Sequence, residues 1–168
     1  MISATTLLLA GALLQGTPAD SFRVAQVGAI RAVASESRLD AAISLAEIAD
    51  RATLWPGLGR RTPGELQLVL VADSAELARL SHWRAPGWGA AVAFPQARTI
   101  ILRADLPDLS RTLRHEVAHL VLRGAVRSRL PLWFDEGYAT LAAGEWDRLA
   151  ALELHLSVVV GGVPSLGD

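Results

Sequence analysis

No cysteine, lysine or asparagine occurs in the 168-residue chain. Without cysteine there are no disulfides, thiolate zinc sites, iron–sulfur clusters, cysteine nucleophiles or lipid-modified N-terminal cysteines. Either redox environment suits such a chain, so the absence leaves the compartment open. Without asparagine there is no N-glycosylation acceptor. Any large excess of positive or negative charge is also missing: 16 basic residues, all arginine, face 17 acidic ones for a net charge of −1. No basic field therefore argues for nucleic acid or an anionic membrane surface. Long apolar runs are absent too. The stretch 5–14, TTLLLAGALL, falls short of the roughly 20 residues a membrane-spanning helix needs. Histidine is scarce, occurring only at His82, His115, His119 and His155, so where each one falls is informative.

The length suits one compact domain able to bury a real core. Residues 1–19 read as a signal peptide, with small Thr17 and Ala19 before a cut ahead of Asp20. The expected destination is then the periplasm or the exterior. An ordinary buried N-terminal helix in a cytoplasmic protein is the competing reading, because MISATT carries no basic residue. Residues 20–64 read as a strand pair and a helix, and 65–168 as the main core. The end at Asp168, after an apolar stretch and Gly161–Gly162, reads as a natural tail or as a C-terminal truncation of that core.

Along the body, 22–34 has β-branched residues around Gly28 and reads as a hairpin, with a helix as the alternative. Ser37 and Asp40 resemble a capping box that opens a helix to about Ala52, ended by Pro56 and Gly57. GRRTPG (59–64) is a loop by composition, and LQLVLVA (66–72) a buried strand. Asp73 or Ser74 caps a short helix, and 84–89 is a turn. GAAVAFP and TIILRA flank a turn at Gln96–Arg98 and form a second hairpin. Asp108 or Ser110 starts a helix that ends with Gly124 just beyond it. Further helices are expected over about 132–143 and, after Gly144, to about 157. Strands first and helices later indicate an α+β fold, with a small mixed or antiparallel sheet, rather than a doubly wound one.

Residues 115–119 read His-Glu-Val-Ala-His. On an α-helix, positions i and i+4 lie about 40° apart around the axis and about 6 Å along it. His115 and His119 therefore leave one face and can share a metal ion. Glu116 is turned about 100° from His115, close enough to stand beside a metal-bound water. Tight zinc binding needs a third protein ligand. Glu136 lies 17 positions after His119, on the next expected helix, within reach if that helix doubles back.

HEVAH followed by PLWFDEGYA resembles the gluzincin zinc peptidases and, more narrowly, the bacterial peptidase MA-like domains. The likeness covers about residues 66–166 and is most marked over 88–143. It implies a zincin-like fold, a Zn2+ cofactor, zinc ligation by His115, His119 and Glu136, and Glu116 as general base. It also implies that the strand pair before the zinc helix offers an edge to an extended peptide or protein substrate. The activity implied is that of a zinc metallopeptidase. The alternative is an inactive, zinc-stabilised domain that binds a peptide or protein.

Other residues carry weaker readings. Tyr138 and His155 are candidates for stabilising an oxyanion; Tyr138 diverges from Glu136 by about 200° around the helix. His82 reads as structural. Asp135 is either a partner for a ligand imidazole or a solvated acid at a helix N-terminus, and Asp147 is a similar candidate. Trp133 and Phe134, spaced with Leu130 and Leu132, read as core, as do Trp83 and Trp88. Arginines 111, 114, 123, 127 and 129 read as a solvated border of the zinc helix that can favour acidic substrate groups.

Overall fold

The computed structural model describes residues 21–82, 89–126 and 128–145. The expected signal peptide, the 84–89 turn up to Trp88, and the helix beyond Gly144 fall outside these. The first described element is a hairpin of β1 (Phe22–Val27) and β2 (Ile30–Ser35), paired antiparallel. The alternating apolar pattern wins over the helical alternative. Gly28 permits the tight reversal with φ +54°.

Helix α1 (Leu39–Arg51) follows a single 3-10 turn at Glu36–Arg38. The capping box expected from Ser37 does not form, because the Ser37 hydroxyl pairs with that of Ser35 at 3.2 Å. Two short strands, β3 (Leu54–Trp55) and β4 (Gly59–Arg60), form their own ribbon where a loop was expected at Gly59. Next come β5 (Leu66–Val71), α2 (Ser74–Leu80), β6 (Ala91–Phe94) and β7 (Thr99–Arg103). Asp73 rather than Ser74 caps α2, its carboxylate accepting the Ala75 and Glu76 N–H groups.

The five longer strands make one mixed sheet in the order β1-β2-β5-β7-β6. β5 runs parallel to both neighbours, and each outer pair is antiparallel. The chain is thus a mixed α+β protein, but strands and helices interleave instead of following in two blocks. A parallel step needs a crossover, and α1 supplies the one from β2 to β5. Residues on both sides of position 64 share this sheet.

Period-two alternation assigns the two faces. Ile30, Ala32, Leu66, Leu68, Leu70, Ile100 and Leu102 pack toward α1 and the site helix described below, while Val33, Val69, Val71 and Ile101 face Leu77 of α2. With both faces covered, β5 reads as a nearly continuous apolar run, as a central parallel strand should. Two more helices complete the described chain, α3 (Leu109–Ala125) and α4 (Leu132–Ala143). Gly124 does not end α3 as expected. It keeps a helical conformation inside the last turn, and Val126 closes the helix in an extended one.

Candidate metal centre

α3 is set by its two faces. Leu113, Val117, Leu120 and Val121 recur at helical spacing and are buried against the sheet. Thr112, His115, Glu116, His119 and Arg123 occupy the other side and line a cavity of about 540 Å³. At the start of the helix the Asp108 carboxylate accepts the Arg111 N–H at 3.0 Å, so Asp108, and not Ser110, is the cap.

α4 returns against α3 after the short link ending at Pro131. Arg114 of α3 donates to the Ala142 carbonyl of α4 at 2.5 Å, and its other arm donates to the Leu54 carbonyl of β3 at 3.1 Å. The same guanidinium lies 4.8 Å from the Trp55 ring centroid, a cation–π contact. Gly144, at φ +71°, then turns the chain, and the Glu145 N–H closes onto the Thr140 carbonyl at 3.0 Å.

This packing brings Glu136 to the two histidines. Its Oε2 lies 3.5 Å from His115 Nε2 and 3.8 Å from His119 Nε2. All three donor atoms fall within 4.8 Å of one another, close enough to hold a metal ion. In a tetrahedral zinc site with ligands at about 2.0–2.1 Å, neighbouring donors sit about 3.3 Å apart. The observed donors are of the right types and stand wider than this, at 3.5 and 3.8 Å from Glu136 and within 4.8 Å overall.

The far nitrogens of both rings are engaged. His115 Nδ1 meets Glu145 Oε2 at 3.0 Å, and His119 Nδ1 meets Asp135 Oδ1 at 2.9 Å. Arg123 grips the other Asp135 oxygen from Nη2 at 2.6 Å and Nε at 3.1 Å. Asp135 is only 3% exposed, which selects the imidazole partner over the solvated acid. Burial pushes its carboxyl up, but the hydrogen bonds from His119 and Arg123 outweigh this and hold it below the ordinary range. Glu116 goes the other way. Burial raises its carboxyl, and Glu136 and Glu145 add to the rise against the opposing pull of His119 and His115.

The opposite cavity wall is Gly89–Ala93, at the start of β6 and just before it. Among the described residues β6 pairs only with β7, so its second edge has no described strand beside it. Arg103 secures this wall by donating to the Gly89 carbonyl at 3.1 Å while paired with Asp105.

Other expectations fare differently. Tyr138 is absent from the cavity lining; its hydroxyl is buried without a hydrogen-bond partner among the described residues. Burial raises the Tyr138 pKa, with Arg114 and Arg61 partly offsetting it. His82 is exposed after α2, on the other face of the sheet. Trp133 and Phe134 are not core: they are 59% and 41% exposed, and Leu132 is 72% exposed. The reason is that α4 turns Asp135, Ala139 and Ala142 inward, which leaves the Trp133 side facing out. The arginine border also divides. Arg111 and Arg114 line a separate cavity between α1 and α3, and Arg123 is tied to Asp135. Trp83, Trp88, Arg127, Asp147 and His155 lie outside the described residues.

Glu145 carried no sequence reading. Its only signal was its place immediately after Gly144, the residue that reverses the chain. No known family model matches the chain, and no curated protein matches it.

Proposed function

We propose that this chain is a zinc-dependent metallopeptidase of the gluzincin, peptidase MA-like type, with a zincin-like fold. The observation that carries the reading is the convergence of His115 Nε2, His119 Nε2 and Glu136 Oε2 beside Glu116 in one cavity. The donor set fits zinc: two imidazoles whose far nitrogens are already hydrogen-bonded, and one carboxylate. When bound, zinc supplies a polarised water of near-neutral pKa and an electrophile for a carbonyl.

The remaining chemistry belongs to the chain. Glu116 is the carboxylate left free by the ligand set, and its raised pKa suits a base that takes a proton from water and returns it to the leaving amine. The edge of β6 that pairs with no described strand is the wall along which an extended peptide would lie. The expected reaction is peptide-bond hydrolysis without a covalent enzyme intermediate.

Protein purified without added metal should contain one zinc per chain by elemental analysis; its absence would overturn the proposal. Glu116→Gln should keep the zinc and lower peptide cleavage by about 10²–10⁴-fold. A second reading, a zinc-stabilised peptide-binding domain, draws on one observation. Among the described residues the cavity offers no tyrosine, and no histidine beyond the two ligands, to face an oxyanion. Zinc and peptide binding with no cleavage before or after the substitution would select that second reading.

A further inference from the structure

The two imidazoles are supported unequally. His119 rests on Asp135, which is buried and held by two contacts from Arg123. His115 rests on Glu145, a cavity-lining side chain 31% exposed. No arginine pairs with Glu145 among the described residues, and its one hydrogen-bonded side-chain partner there is His115 at 3.0 Å. Glu145 is also not part of α4. It is delivered by the turn at Gly144, whose φ of +71° disfavours any residue with a Cβ, and its own N–H is fastened to the Thr140 carbonyl. A carboxylate fixed by its backbone and bonded, among the described side chains, to one ring nitrogen points to one task. It accepts the Nδ1–H of His115 and so leaves Nε2, which lies 3.5 Å from Glu136 Oε2, as the ring's metal-facing nitrogen.

We propose that Glu145 is a positioning residue for His115, setting its tautomer and ring orientation for metal binding. This rests on the zinc reading above for its purpose but not for its first test. Imidazole nitrogen NMR of the full-length metal-free protein should show His115 protonated at Nδ1. In Glu145→Ala this preference should disappear while that of His119 stays. Zinc competition against a chromophoric chelator should then give an affinity about 10–100-fold lower for Glu145→Ala. Glu145→Gln keeps an acceptor oxygen and should recover much of the loss. Glu145→Asp, one methylene shorter, should not.

Unchanged His115 tautomer and zinc affinity in Glu145→Ala would overturn the proposal. So would an affinity loss matched by a fall in the melting temperature of the metal-free protein, since that is the mark of a general structural role. If the wild-type protein binds no zinc, the zinc reading fails, while the NMR result still decides whether Glu145 orients His115.

Discussion

Gly28 shows how one residue can decide a local path. It turns the first hairpin at φ +54°, and a Cβ placed there would lie 2.5 Å from the Asp50 carboxylate. That carboxylate accepts the Ala29 N–H at 3.3 Å, tying the hairpin to the last turn of α1. Gly28→Ala therefore meets both an unfavourable backbone region and a collision with a bonded side chain. It should cost about 1–2 kcal/mol, read as a lower urea midpoint with an unchanged slope. Trp55 and Arg114 do comparable work nearer the site. Trp55 is 1% exposed and donates its indole N–H to the Arg61 carbonyl at 3.0 Å, while Arg114 covers its ring and reaches α4.

At the scale of the element, α3 carries most of the organisation. One face supplies core leucines and valines, the other the histidines, and Arg114 fastens α4 at its C-terminal end. Its start depends on Asp108, whose carboxylate satisfies the Arg111 N–H and whose negative charge favours the positive end of the helix dipole. Asp108→Ala should destabilise the protein by about 1 kcal/mol, and Asp108→Ser by less. Because His115 lies only about two turns further on, hydrogen exchange of the first α3 amides should also accelerate in Asp108→Ala. Unaltered exchange there would show that packing alone holds the helix start.

At the scale of the molecule, the core and the candidate site are separable. Ile30, Leu68, Leu70, Ile100 and Leu102 are fully or almost fully buried in the core, and none of them lines the cavity that holds the three donor groups. The metal-free protein should thus stay folded, with near-native far-ultraviolet circular dichroism after chelation. Zinc at 100 times its Kd should add about 2.7 kcal/mol by mass action. Thermal melts with and without chelator should differ in wild type and coincide in His115→Ala, where the site is broken. Coincident melts in wild type would count against a metal bound to the native state. No described helix is long and apolar enough to cross a membrane.

The sequence by itself determined what local spacing controls. The apolar run of β5, the strand segments flanking Gln96–Arg98, and the pairing of His115 with His119 on one helix face are all legible from local composition and the helical period of 3.6 residues. The chemical type of any tight site also follows, because a chain without cysteine must bind zinc through imidazole and carboxylate. Tertiary structure decided whatever depends on which surfaces meet. Composition and order suggested a small sheet followed by helices; parallel pairing of β5 on both sides required strands distant in sequence to find each other. Trp133 and Phe134 look like core by hydrophobicity, yet α4 has one buried face and gives it to Asp135 and two alanines. Asp135 could be read as a solvated acid until burial and Arg123 placed it behind His119. Glu145 offered no pattern at all. Its position beside His115 comes from a glycine turn at the end of one helix packed against another, a contact that spans 30 residues and leaves no periodic trace.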